Sequence, residues 1–224
     1  MKNKYVKRAK ISEAKFCNII KYFTLELDAQ MIAALMSLNR NTVNRYIGRI
    51  RSRIVDICET QAHQRKAAPP GDGDHGQGSP LLAYRKTDET GLPVFAIRSR
   101  HAHIYTMLLA NGTHRRLRRL VQSREFSGTP GIPKEWRRYD GIVDLNGRCH
   151  YRLGSLSSRD DTGLPFMDHI EAFLEFARKR LTSFHLNGDD HFYLDLKECE
   201  FRFNNRDADL YKLLLKRFRE TPLA

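Results

Sequence analysis

The sequence has no long apolar run, few cysteines and a deficit of acidic side chains. Its longest uninterrupted apolar stretch is Met31 to Met36, six residues, whereas a helix that crosses a bilayer needs about 20. No apolar segment follows the basic start, so we expect no secretory signal. The four cysteines form no C-x-x-C pair, which argues against a disulfide framework or a four-cysteine zinc site. We therefore expect a cytoplasmic protein with reduced thiols and no membrane partner.

Positive charge is concentrated in two segments of the chain. The sequence holds 39 Lys and Arg against 26 Asp and Glu, a net charge of +13. Residues 1–66 contain 14 basic and 5 acidic side chains, and residues 97–138 contain 10 and 2. Backbone phosphates attract Lys and Arg whatever the base sequence. This uneven placement favours a nucleic-acid partner over a basic composition that only aids solubility.

Residues 1–60 are predicted to form a helical domain. Ser12, Asp28 and Asn39 each precede a helical pattern and have side chains that cap helices, so we expect three helices. The tight turn between the second and third helices carries Ser37 where a glycine would adopt a left-handed conformation more easily. A short helix, a tight turn and a longer helix are typical of a helix-turn-helix.

The third helix has one apolar face and one polar face. Val43, Ile47, Ile50 and Ile54 recur at a spacing of three or four residues and predict a buried stripe. The opposite face carries amide and guanidinium groups, which suit base edges and phosphates. A plain three-helix bundle with a basic surface is the alternative, but these polar groups at the helix start favour double-stranded DNA as the partner. The candidate DNA-binding residues are Arg40, Asn41, Asn44, Arg45 and Arg49.

The remaining chain divides into a linker and an α/β domain. Residues 61–92 are rich in glycine and proline, which predicts a linker or a degenerate strand region. Residues 93–224 contain strand patterns followed by helical patterns, which indicates an α/β layer with an antiparallel start. The predicted strands are residues 94–97, 103–109, 142–145 and 150–153, and the predicted helical regions are residues 115–122, 168–181 and 190–218.

Four motifs occur in a particular order along the chain. The helix-turn-helix pattern spans residues 33–46, and W-R-R-Y-D-G-I-V spans residues 136–143. I-E-A-F-L-E-F-A-R-K-R-L follows at residues 170–181, and Y-L-D-L-K-E-C-E-F-R-F-N-N-R at residues 193–206 is the most specific of the four. In this order they resemble the DDE-type transposases of bacterial insertion sequences, the IS fifteen-ninety-five family.

The resemblance implies a fold and a reaction. The fold is α + α/β: an N-terminal helix-turn-helix followed by an RNase H-like mixed sheet with flanking helices. The reaction is the cutting and joining of DNA strands by phosphoryl transfer, with two Mg²⁺ ions, or Mn²⁺, held by three acidic side chains. A homo-oligomer bound to element-end DNA is implied as well.

The acidic positions of that family are only partly kept. Glu171 is in register with the third, Lys134 stands at the second, and the first falls within the linker. The candidate catalytic residues are Glu171, Asp72 and Asp74, and the candidate metal ligands are Glu171, Asp72, Glu135 and Asp140. The alternative for Glu171 is a solvated helix carboxylate. The sequence thus predicts a transposase by resemblance with impaired chemistry, or else a catalytically inactive DNA-binding protein or repressor derived from one.

Overall fold

The computed structural model describes residues 3–64, 94–109, 139–144, 149–152, 166–181 and 189–223. They divide into two compact units: residues 1–57 with 205–224, here the helical unit, and residues 58–204, the sheet unit. Within the described ranges no helix is long and apolar enough to cross a membrane. The elements are α1 (Glu13–Thr24), α2 (Ala29–Met36), α3 (Arg40–Gln64), β1 (Val94–Arg100), β2 (His103–Leu108), β3 (Gly141–Asp144), β4 (Cys149–Arg152), α4 (Phe166–Leu181), α5 (Asp189–Asn204) and α6 (Leu210–Glu220).

The predicted caps of the first two helices are confirmed. The Ser12 hydroxyl accepts a hydrogen bond from the Lys15 backbone N–H at 3.3 Å. The Asp28 carboxylate accepts one from the Met31 N–H at 2.8 Å. Each bond satisfies a donor that a helix start leaves without an intrahelical acceptor. The starts of α1 and α2 are therefore fixed by local chemistry.

The turn between α2 and α3 is tight and left-handed. Ser37 has φ 50° and ψ 49°, and the Leu38 N–H returns to the Ala33 carbonyl at 3.0 Å, which closes the end of α2. Two residues later the Asn39 side chain accepts from the Asn41 N–H at 2.8 Å. This turn sets the point at which α3 begins.

The buried face of α3 differs by one residue from the predicted stripe. Val43, Ile50 and Ile54 are fully buried as expected, but Ile47 is only partly buried. Tyr46 is 0% exposed instead. Tyr46 lies three residues after Val43 and four before Ile50, so it falls on the same helix face. A tyrosine therefore occupies the core position that the sequence assigned to isoleucine.

The helical unit is completed by α6 from the other end of the chain. Phe218 is fully buried, and its ring centroid lies 6.2 Å from that of Phe16 on α1. Leu223 pairs in parallel with Val6: the Lys7 N–H donates to the Leu223 carbonyl at 2.8 Å. From the sequence, residues 93–224 were predicted to form one α/β domain, with residues 190–218 as one helical region. In the structure that region is two helices, and the second belongs to the helical unit because its apolar face packs there.

The sheet unit contains a four-stranded antiparallel sheet with the order β2-β1-β3-β4. Phe95 pairs with Leu108 on one side and with Val143 on the other, which places β1 in the interior. The mixed α/β content agrees with the predicted class. The RNase H-like assignment stays a prediction, and the predicted helix at residues 115–122 lies outside the described residues.

Two helices, α4 and α5, share one apolar core with the sheet. Alternate strand residues point to one face because side chains alternate along a strand. The core is closed by aromatic contacts, with Phe173 of α4 edge-on to Phe203 of α5 at 5.3 Å. The buried cluster consists of Phe95, Ile97, Ile104, Val143, Ile170, Phe173, Ala177, Leu181, Phe192, Leu196, Cys199 and Phe203.

Polar side chains of α5 cover the edge strand β2. The Glu200 carboxylate accepts from the Thr106 N–H at 2.8 Å and from its hydroxyl at 2.6 Å. The Lys197 ammonium donates to the Thr106 carbonyl at 2.7 Å. The Asn204 amide accepts from the Ile104 N–H at 2.8 Å and donates to the Ile104 carbonyl at 2.7 Å. Lys197, Glu200 and Asn204, here the α5 clamp, thus bind the backbone groups that a further strand would otherwise use.

The α5 clamp includes a buried ion pair. Lys197 and Glu200 are 3% and 1% exposed, and the ammonium lies 2.8 Å from the carboxylate. Burial opposes the charge on Lys197, but Glu200, Cys58 and Glu59 together outweigh burial, so the pKa of Lys197 lies above its ordinary value. In the same helix, burial raises the pKa of Cys199 to about 12, as fits a packed thiol rather than a nucleophile. The most specific motif of the sequence is therefore structural at these positions.

Candidate nucleic-acid interface

The first turns of α3 present polar side chains to solvent. Arg40, Asn41, Asn44 and Arg45 are exposed, and Arg49 is partly exposed. They lie away from the buried stripe because a helix separates residues on opposite faces. The exposed face that the sequence predicted is therefore present, at the end of α3 that directly follows the left-handed turn.

A buried tyrosine supports the two arginines of this face. The guanidinium carbons of Arg45 and Arg49 lie 5.5 Å and 5.8 Å from the ring centroid of Tyr46. Such contacts between a cation and an aromatic ring restrict a long side chain. The Tyr46 hydroxyl in turn accepts a hydrogen bond from the Lys10 N–H at 3.2 Å. The ring is a fixed platform, because Phe16 packs beside it at 5.9 Å.

The positive charges of this face are not neutralised by ion pairs. Within the described ranges no carboxylate lies in ion-pair distance of Arg40, Arg45 or Arg49. Gly48 lies between the two stacked arginines in sequence, and a Cβ atom added there would meet nothing within 4 Å. Internal packing therefore does not require glycine at this position, although glycine in a helix costs about 1 kcal/mol relative to alanine. The helix backbone is left uncovered on its basic side.

Asp140, one of the predicted acidic ligands, binds groups of strand β1. Its carboxylate accepts from the Ser99 N–H at 2.8 Å and lies 3.6 Å from the Arg100 guanidinium. Burial raises the pKa of the Asp140 carboxyl above its ordinary value, although the Ser99 N–H and Arg100 act to lower it. The Ser99 hydroxyl lies 3.3 Å from Nδ1 of His169 on α4. Asp140 and His169 are therefore both joined to Ser99.

Only some residues of the predicted metal site lie among the described residues. Glu171 lies exposed on α4, and Asp72, Asp74, Lys134 and Glu135 lie outside the described residues. Among the residues that are described, no group of three His, Cys, Asp or Glu side chains could hold a metal ion. The described carboxylates alone therefore do not fit a pair of Mg²⁺ ions, which require several carboxylate oxygens.

The comparisons with known proteins found similarity to a transposase-like protein. The chain is 26% identical over 113 residues to an uncharacterized transposase-like protein of Haemophilus influenzae. The chain is related to a transposase-like protein. The matched region covers 50% of this chain and 90% of the relative. No family model and no solved structure matches.

Sequence reasoning missed three features of this chain. It gave Tyr46 no role, although the position of Tyr46 between Val43 and Ile50 in the helical period could have shown its burial. It gave no role to the backbone at Lys10, because no sequence pattern links residues 10 and 46. It read Lys197 and Glu200 only as family motif, because charged residues are rarely buried unless they are paired.

Proposed function

We propose that this transposase-related protein binds double-stranded DNA through α3, with α2, the Ser37 turn and α3 acting as a helix-turn-helix. The observation that carries the proposal is the exposed polar face of α3, with Arg45 and Arg49 stacked on a buried tyrosine. By the same resemblance we propose that the protein binds DNA as a homo-oligomer.

The chemistry of the exposed face suits the major groove. That groove admits an α-helix, and there Arg pairs with the two acceptors of guanine while Asn pairs with adenine. In a helix-turn-helix the N-terminal residues of the second helix contact base edges. Asn41, Asn44 and Arg45 are the side chains at that position here. Arg40 and Arg49 are assigned to backbone phosphates on either side.

Replacing Arg45 with alanine is expected to weaken specific DNA binding by about 1–3 kcal/mol, or roughly 5- to 150-fold. The loss combines one charge with the loss of a side chain that is already oriented by Tyr46. The measurement is fluorescence anisotropy of the full chain on duplexes selected from a random pool, at two salt concentrations. Arg219→Ala, which removes an exposed arginine from α6, is the matched control.

Three results would contradict the proposal. The first is an absence of binding by the unmodified protein at low salt, or binding that does not weaken as salt rises. The second is an equal loss for Arg45→Ala and Arg219→Ala, since net charge alone would then account for it. Recognition of single-stranded RNA in place of duplex DNA would also remove α3 from its proposed role.

The second candidate function is metal-dependent strand transfer, which the exposed carboxylate Glu171 on α4 favours. Two divalent ions close together repel, and bridging carboxylates must offset that repulsion. Lys134, in register with the second ligand, adds a positive charge instead. Asp140 is already engaged by Ser99 and Arg100. We therefore propose that DNA binding is retained and that strand transfer is not.

The purified protein is expected neither to cleave nor to join DNA in Mg²⁺ or Mn²⁺. The assay is strand cleavage on a supercoiled plasmid and on the duplexes that bind best, with Lys134→Asp and Glu171→Ala in parallel. Silence from all three forms is the expected result. Cleavage by the unmodified protein that Glu171→Ala abolishes would instead establish the enzyme function.

A further inference from the structure

We propose that Lys7, Arg8 and Lys10, here the basic arm, form a second DNA-contact surface that binds backbone phosphates beside α3. The inference rests on the proposed function of α3 and adds a binding element that lies outside the helix-turn-helix. Four observations carry it: the fixed backbone of the arm, its uncompensated charge, the conformation of Arg8 and the anchor at Tyr46.

The segment that leads into the basic arm is firmly held. The Asn3 side chain accepts from the backbone N–H groups of Tyr5 and Val6 at 3.0 Å and 3.2 Å. Val6 is 1% exposed and pairs with Leu223, whose N–H donates to the Tyr5 carbonyl at 2.9 Å. The Lys7 N–H completes this bridge at the Leu223 carbonyl. The arm therefore leaves a packed segment in one direction.

The three basic side chains of the arm are exposed. Within the described ranges none of them has an acidic side chain in ion-pair distance. The neighbouring Lys4 behaves differently, because its ammonium lies 2.7 Å from the Glu13 carboxylate. The positive charge of the arm is thus available to an external anion, while that of Lys4 is compensated within the molecule.

The backbone at Arg8 would suit glycine. Its φ is 52°, in the left-handed region where a side chain costs about 1 kcal/mol or more. Glycine adopts this conformation freely, so the backbone does not explain an arginine at position 8. Its side chain is also exposed, so core packing does not explain it either. Binding of an external anion would give the positive charge of Arg8 a role.

One tyrosine connects the arm to α3. The Lys10 N–H donates to the Tyr46 hydroxyl at 3.2 Å, and the same ring lies under the guanidinium groups of Arg45 and Arg49. The arm and the stacked arginines therefore meet at a single buried side chain. The arm and the two stacked arginines together carry five positive charges, which phosphates of a nucleic-acid backbone attract.

The chemistry of the arm indicates phosphate contact rather than base reading. Two of its three side chains are lysines, whose ammonium is a compact point charge without an acceptor and binds phosphate well. Such contacts position a protein on DNA and carry no sequence information. The arm should therefore raise affinity for all duplexes alike, while α3 supplies the preference among them.

The test is the salt dependence of binding by the full chain with all three arm side chains replaced by alanine. Each phosphate contact that is lost should reduce the slope of log K against log salt by about 0.9, roughly 3 in all. Affinity should fall about tenfold or more, and equally for selected and random duplexes. The control replaces Lys15, Lys21 and Arg219, two lysines and one arginine that are also exposed. Thermal unfolding checks that both variants are folded, and Lys7→Glu, which reverses one charge, should lose more affinity than Lys7→Ala alone.

The outcomes separate this inference from the proposed function. If the unmodified protein binds DNA and the arm variant keeps its affinity and its salt slope, the proposed phosphate contact of the basic arm is wrong, while the proposed role of α3 stands. An equal loss in the control variant would also overturn it, because bulk charge would then explain the effect. A loss confined to one duplex sequence would contradict phosphate contact. If the unmodified protein does not bind DNA, the proposed function itself fails.

Discussion

Replacing Glu200 with alanine should destabilise the sheet unit by about 3–5 kcal/mol. The change leaves the Lys197 ammonium buried without its carboxylate, and it also removes the acceptor of the Thr106 N–H and hydroxyl. A buried donor without an acceptor costs about 1–3 kcal/mol on its own. Domains of this size are stable by only about 5–15 kcal/mol, so a large share of the unit's stability is at stake.

The measurement is the free energy of unfolding in urea, followed by far-ultraviolet circular dichroism. Glu175→Ala, which removes an exposed carboxylate from α4, is the control and should stay within about 0.5 kcal/mol of the unmodified protein. Replacing Lys197 and Glu200 together with methionine should not restore stability, because the Thr106 backbone would still lack its partners. A Glu200→Ala variant as stable as the control would show that the clamp contributes little.

Replacing Phe218 with alanine should cost the helical unit about 3–5 kcal/mol, as is usual for a fully buried phenylalanine. The ring packs against Phe16, and Leu214 and Leu223 of the same unit are buried as well. The expected result is a loss of amide-exchange protection in α1 and in the first half of α3, and a matching loss of DNA binding. Helix α5 in the sheet unit should keep its protection, because stability differs between cooperative units.

The neighbouring substitution Arg219→Ala controls for any effect on α6 itself, since Arg219 is exposed. It should leave amide exchange in α1 unchanged. If Phe218→Ala also left α1 fully protected, the contribution of α6 to this core would be small. A fragment of residues 1–60 would then be sufficient to test DNA binding. Because residues 205–224 belong to the same unit, the DNA-binding measurements use the full chain.

Local features of the fold could be predicted from the sequence, and distant ones could not. Ser12 and Asp28 cap their helices because each side chain accepts a hydrogen bond from the backbone N–H three residues later, a contact that lies within a short stretch of sequence. The hairpin of β1 and β2 follows from two adjacent apolar runs. The place of α6 was missed, since its apolar face fits either unit equally well by pattern alone. The contact that places α6 in the helical unit joins Phe16 and Phe218, which are more than 200 residues apart in the sequence.

The candidate site shows the same division. The exposure of Arg40, Asn41, Asn44 and Arg45 followed from helical period and is confirmed, while their binding of DNA stays a prediction. The link between Tyr46 and the basic arm depends on a contact between residues 10 and 46. No local pattern encodes such a contact. The acidic metal ligands were predicted only from their alignment with the motifs of a known family. The described carboxylates do not by themselves form that metal site.

The α5 clamp has a consequence for synthesis of the chain on the ribosome. The bonds that Thr106 donates to Glu200 join residues 94 positions apart, so β2 is made long before the helix that covers it. At about 5–20 residues per second, the strand waits roughly 5–20 s for α5. During that time its Ile104 and Thr106 backbone groups are open to any other extended chain, because an uncovered edge is a template for pairing. In this interval β2 of a nascent chain is therefore exposed to pairing with another extended chain.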